Sequence, residues 1–206
     1  MEKPNIFRVA TKELSQDAFF AWLLEWADPS QRQHNPELNE TAQDFVRLVL
    51  GKSSDLSINK IIVKKQWHNI DLCTEINDEY FVAIEDKTNT SDHSQQLERY
   101  KEIVANHYKD KQLQFVFVYL KTGNECLSKL KRIVDKNYAP IGRKAILDVL
   151  TKRPVTNDIF NDFIDRLTEI EKETNSFDTF AKLTSSMRAA EGFCAWIQAL
   201  KEAEQK

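Results

Sequence analysis

The stretch Phe81-Val82-Ala83-Ile84-Glu85-Asp86-Lys87 starts as an apolar run fit for a buried strand and ends in three charges. Alternation along a strand puts Glu85 and Lys87 on one face with Phe81 and Ala83, and Tyr80, Val82, Ile84 and Asp86 on the other. An ionised group buried without a partner is costly. Such a strand end is therefore either a surface edge with an ion pair or a functional site. Acid-x-Lys alone decides nothing, since it recurs at Glu204-Gln205-Lys206.

The neighbouring sequence raises the weight of the first copy. Ile70-Asp71-Leu72-Cys73-Thr74-Glu75-Ile76 precedes it across the polar turn Asn77-Asp78-Glu79, a pattern that reads as a hairpin. A three-residue loop pairs Ile76 with Tyr80 and, counting back, Asp71 with Glu85. Directly opposed residues have Cβ atoms about 4.5 to 5.5 Å apart. Two carboxylates that close repel unless a cation lies between them, and oxygen ligands of this kind suit Mg²⁺ or Mn²⁺. A two-residue loop would put the acids on opposite faces, barring a bulge.

A chain of 206 residues with 41% hydrophobic residues, twelve Phe and only four Gly can form a packed, helix-rich core rather than a disordered or fibrous chain. Cys73, Cys126 and Cys194 are odd in number and far apart, which reads as reduced thiols in a cytoplasmic protein. No run approaches the ~18 apolar residues of a membrane span, and the first residues carry no apolar signal region. His34, His68, His93 and His107 lack zinc spacing with the cysteines. Asp92-His93-Ser94 cannot fold back into a triad, and no Gly-x-Ser-x-Gly elbow exists. Residues 121 to 153 carry nine Lys and Arg against three Asp and Glu, a basic block inside an acidic chain. Such a block attracts a polyanion or forms a solvated helix face.

In chain order, residues 13 to 26 read as a half-engulfed helix stopped by Asp28-Pro29, and Thr41 to Leu50 as a second helix closed by Gly51. Ile58 to Trp67 reads as a strand, followed by the hairpin and a helix over Gln95 to Tyr108. Gln112 to Leu120, apolar on both faces, reads as a central strand reached by a parallel crossover. Tyr138 to Ile141 reads as a short edge strand and Arg143 to Thr151 as a helix; Phe160 to Ile170 stripes another, and Phe177 to Ala203 supplies one or two more.

The order of parts resembles the PD-(D/E)XK nuclease superfamily, and within it small prokaryotic and phage members. Glu13, then Ala18-Phe19-Phe20-Ala21-Trp22-Leu23-Leu24, then Asp28-Pro29 and His34 follow that group's first-helix pattern. Gln96-Leu97-Glu98-Arg99-Tyr100 is similar to its Gln-Leu-x-x-Tyr. The resemblance covers residues 5 to about 150. Gln16-Asp17 stands where the group often has His-Ser, and Asp71 follows Ile70 where the superfamily's name has Pro.

The resemblance implies an α/β fold: a restriction-endonuclease-like mixed sheet core (α-β-β-β-α-β) flanked by helices, with a C-terminal helical extension. The expected division is a nuclease-like core over 1–153 and the extension over 154–206. It implies hydrolysis of phosphodiesters in DNA, with Mg²⁺ or Mn²⁺ held by Asp71, Glu85, the main-chain carbonyl of Asp86 and, from the first helix, Glu13. Lys87 is expected to orient water, and Gln96 and Tyr100, one helical turn apart, to assist. Lys64, Lys65, Arg143 and Lys144 are the expected grip on the nucleic-acid backbone. Homodimer formation stays open. Two other readings are a nuclease-fold module without turnover that binds nucleic acid or a protein, and a helical adaptor working through residues 154 to 206.

Overall fold

A computed structural model describes residues 4–52, 55–87 and 96–175. Five strands form one sheet in chain order: β1 (Ile61–Trp67), β2 (Ile70–Ile76), β3 (Tyr80–Lys87), β4 (Gln114–Lys121) and β5 (Ala139–Gly142). The first two pairings are antiparallel, and β3/β4 and β4/β5 are parallel. β3 is thus the middle strand, paired on both sides, and all eight of its residues are buried. The mixed sheet with flanking helices is the restriction-endonuclease-like α/β architecture.

Each face of the sheet has its own core. Leu72, Ile76, Val82, Ile84, Val118 and Leu120 meet α2 (Glu13–Trp26), α3 (Pro36–Leu50), α6 (Arg143–Leu150) and α7 (Asp158–Asn175). Ile70, Cys73, Phe81 and Ala83 meet α4 (Gln96–His107), and Tyr119 and Tyr138 meet Leu97 and Ile133 of α5 (Leu127–Asp135). The apolar load of α2 explains its burial: Phe19 stacks on Phe163 at 3.6 Å between centroids and Phe20 on Phe45 at 5.3 Å. Such aromatic pairs add about 0.5 to 1.5 kcal/mol beyond area burial. Phe160, Phe163, Leu167 and Ile170 therefore bring α7 into the same core as α2.

The expected elements recur with shifted ends. α3 starts at Pro36, not Thr41, because Asn35 accepts from the Leu38 N–H at 3.0 Å and Pro36 occupies the first helical position. β1 starts at Ile61, not Ile58. α1 (Ile6–Val9) and α5 lie where no helix was expected. Gly51 closes α3 with φ 61°, the left-handed cap its position implied. The expected helices over Phe177 to Ala203, with Cys194, lie outside the described residues.

Candidate active site at the end of β3

The hairpin register is the one a three-residue loop requires: Ile76 pairs with Tyr80 and Leu72 with Ile84. Asn77 and Asp78 take positive φ, which Asn and Asp tolerate best after Gly. The ladder stops one residue before Asp71. On the other side it passes from Lys65↔Leu72 to Trp67↔Ile70, skipping Gln66 and Asp71, and Gln66 has φ 53°. That left-handed residue breaks the alternation: Leu72 packs on the α2 side of the sheet, whereas Ile70 and Trp67 pack on the α4 side. Irregularities of this kind re-aim side chains beside functional sites. Here the Asp71 carboxylate turns over the end of β3, where its Oδ2 accepts from the Asp86 N–H at 3.1 Å.

On the α4 face, Lys87 Nζ lies 2.6 Å from Glu85 Oε1 and 3.8 Å from Asp71 Oδ2. Gln96 Nε2 donates to Glu85 Oε1 at 3.0 Å, and to Tyr100 Oη at 2.5 Å. Tyr100 in turn donates to the Asn69 carbonyl in the β1–β2 turn. Glu13, in the first turn of α2, acts electrostatically on both Asp71 and Lys87. The structure thus gathers Asp71, Glu85, Lys87, Gln96 and Tyr100 at the end of β3, with Glu13 near enough for its charge to act on Asp71 and Lys87.

Electrostatics there are short of positive charge. Glu85 is fully buried, and that burial, with the Asp71 charge beside it, pushes its carboxyl up to about 7 despite the contact with Lys87. Burial also raises Asp71. For Lys87 burial alone would lower the ammonium, but the hydrogen bond to Glu85 and the charges of Glu85 and Asp71 outweigh it and keep it protonated. Glu85 Oε2 is buried with no N–H or O–H donor on it among the described residues, and the Asp71 carboxyl lies within hydrogen-bond reach of Glu85. An orphaned carboxylate oxygen beside a second carboxylate is the hard-oxygen donor set that fits a divalent cation. Among the described residues no group of three His, Cys, Asp or Glu side chains is assembled to hold a metal. The fit therefore rests on two side chains and main-chain or water oxygens.

The opposite face of β3 holds a constellation that sequence reading did not assign. Asp86 points toward α2, where Gln16 Nε2 donates to its Oδ1 and Thr122 Oγ1 donates to Gln16 Oε1 at 2.6 Å. Asp17 lies within hydrogen-bond reach of Asp86; burial raises Asp17 to about 6 and lifts Asp86 well above the usual carboxylate range. The signal was present in the sequence. Glu13 and Asp17 are one turn apart ahead of the apolar run Ala18–Leu24, and the Gln16-Asp17 departure sits against the acid-x-Lys strand.

The four expected backbone-gripping cations divide. Lys65 is exposed on the α2 side, near enough to Asp17 to favour its charged form. Lys64 is held by Glu75 at 2.6 Å and Tyr108 Oη at 3.2 Å. Arg143 is only 3% exposed, its guanidinium donating to the Thr122 carbonyl, Asn124, Thr174 and Glu171. It staples β4 to α7 and is not presented to a ligand. Lys144 is exposed and pairs with Asp148 one turn on.

A mixed five-stranded sheet with an acid-x-Lys end on its middle strand and an acid delivered by the adjoining hairpin defines a restriction-endonuclease-like protein. Among protein families, the PD-(D/E)XK nuclease superfamily matches residues 4–173, and the chain belongs to it. Membership implies nuclease activity, a nucleic-acid substrate and, in general, divalent-metal chemistry. Comparison with curated proteins and with solved structures gave no match. No helix among the described residues is long and apolar enough to cross a membrane.

Proposed function

We propose that this chain is a cytoplasmic, Mg²⁺- or Mn²⁺-dependent nuclease that hydrolyses DNA phosphodiesters at the end of β3. The observation that carries the reading is the convergence of Asp71, Glu85 and Lys87, with the two acids sharing one lysine. Asp71, Glu85 and the main-chain carbonyl of Asp86 would hold the ion, with Glu13 at its border. A bound divalent ion supplies phosphate neutralisation and acidification of a water.

The rest falls to the chain's own groups. Lys87, kept protonated by its acidic neighbours, orients the attacking water and stabilises the negative oxygen that develops on phosphorus. Proton abstraction is a poor role for a cation so placed. Gln96 fixes Glu85 and, with Tyr100, anchors the turn that delivers Asp71. Lys65 lies on the accessible side for backbone phosphates. The test is cleavage of plasmid and linear DNA with Mg²⁺ or Mn²⁺, beside Glu85→Ala and Lys87→Ala proteins. The reading expects metal-dependent cutting that both variants lose. It fails if the intact protein cuts no nucleic acid and binds neither ion, or if the variants cut as well as it does.

A further inference from the structure

The β1–β2 turn, His68-Asn69, has positive φ at both residues, the backbone that a tight two-residue hairpin loop needs. It presents a group of rings. Trp67 is half-buried against Phe81 at 5.4 Å, and its indole meets His68 at 4.5 Å and His107 of α4 at 4.9 Å, both edge-on. His68 and His107 are exposed, their centroids 6.0 Å apart. Lys64 and Lys111 flank the group, with Lys64 Nζ 5.9 Å from the Trp67 ring centroid, and the carboxylate that pairs with both lysines is Glu75. Two lysines to one carboxylate leave this cluster with a net positive charge.

The group is also joined to the site at the end of β3. Trp67 pairs with Ile70, the residue before Asp71, and Asn69 receives the Tyr100 hydroxyl that Gln96 links to Glu85. Cross-strand neighbours are about 5 Å apart, so the rings begin within about one nucleotide's length of the first acid. Exposed aromatic faces set among lysines match single-stranded nucleic acid, whose bases stack and whose phosphates are anionic. We propose that His68, Trp67 and His107 form a stacking contact for an unpaired base next to the bond to be cut, so that the favoured substrate is a single-stranded or locally opened strand. This deepens the nuclease reading and rests on it for the position of the cut.

The experiment measures binding of the full chain, in EDTA, to fluorescent dT12, rU12, a twelve-residue abasic strand and a blunt duplex. His68→Ala/His107→Ala tests the exposed rings without touching half-buried Trp67, and His107→Phe tests whether an aromatic face suffices. The proposal expects dT12 or rU12 to bind more tightly than the abasic strand. The double alanine variant should lose that margin, about fivefold or more, with abasic and duplex binding unchanged, and His107→Phe should keep it. Equal binding of based and abasic strands by the intact protein would overturn the proposal. So would a double variant that retains the margin, or one that loses duplex binding equally. Because EDTA removes catalysis, a protein that stacks bases but never cuts sinks the nuclease reading alone, and one that cuts but ignores bases sinks the stacking contact alone.

Discussion

Two carboxylate-lysine-tyrosine clusters sit beneath α4 on the same face of the sheet, and their charge ratios are opposite. At the first, Glu75 receives Lys64 at 2.6 Å, Tyr108 at 2.7 Å and Lys111 at 3.6 Å. Burial alone would raise its carboxyl, but the hydrogen bonds from Lys64 and Tyr108 and the lysine charges hold it below the ordinary value. At the second, Lys87 is shared by Glu85 and Asp71 with Glu13 nearby, and Glu85 is pushed up to about 7. The first cluster is satisfied and works as a brace. The second sets two or three carboxylates against one lysine, the condition expected of a functional site and a poor one for stability.

The largest effect that would break this contrast is on activity. Glu85→Gln removes the negative oxygen but keeps the shape, and should reduce cleavage by at least about 100-fold, whereas Glu75→Gln should leave it near the intact level. Cleavage assays on both proteins check this, and equal losses would erase the distinction. Mg²⁺ added at pH 8 should raise the melting temperature of the intact and Glu75→Gln proteins but not of Glu85→Gln, by mass action on the folded state.

Stability should move the other way. Glu75→Gln leaves Lys64 and Tyr108 with a weaker acceptor, a loss of about 1 to 2 kcal/mol, read as a lower urea midpoint. Glu85→Gln should stabilise the metal-free protein at pH 8, because burying that charge is what the raised carboxyl opposes.

pH separates the clusters further. A raised carboxyl means the folded state retains a proton that the unfolded chain releases. Its stabilising effect is full below the ordinary value of 4.5 and is lost as pH rises toward about 7, for Glu85. Asp17, raised to about 6, adds a decline of the same sign over a lower window. Glu75, lowered, contributes stability above its ordinary value that disappears as acid protonates it. Denaturation of the metal-free protein from pH 2 to 8 should show Glu85→Gln flattening the neutral decline and Glu75→Gln flattening the limb below pH 4.5; superimposable profiles would refute the assignment. The smallest effect is expected at Lys144, an exposed side chain whose ion-pair partner among the described residues is Asp148. Lys144→Ala should leave the melting temperature within error, as surface pairs usually do.

Much of this was legible because the informative residues lie in regular, locally determined elements. Ile76↔Tyr80 and Leu72↔Ile84 follow from loop length alone. Gln96 and Tyr100 meet because residues four apart on a helix share a face. The way Asp71 reaches Glu85 was not legible, since nothing in Lys65-Gln66-Trp67 announces that Gln66 will adopt φ 53° and turn Trp67 and Ile70 to the other side. The basic block from 121 to 153 divides between exposed and buried cations, which its composition did not show. A count of lysines and arginines does not reveal burial, yet Lys121, Lys129 and Arg143 are all buried, the two lysines against Glu125. At the end of the same block, Lys152 and Arg153 close onto Asp44 of α3. Gln16 and Asp17 were missed because their partners, Thr122 and Asp86, are long-range in sequence.

The place of β3 in the sheet has a consequence for timing. Its last residue, Lys87, lies opposite Lys121, and the Lys87 carbonyl accepts from the Thr122 N–H at 3.2 Å. A chain still leaving the ribosome therefore carries both acids and their lysine well before the strand that walls them in has been made. Synthesis runs from the amino end and folding follows it. The arrangement of Asp71, Glu85 and Lys87 against β4 is completed only after Lys121 and Thr122 have been made.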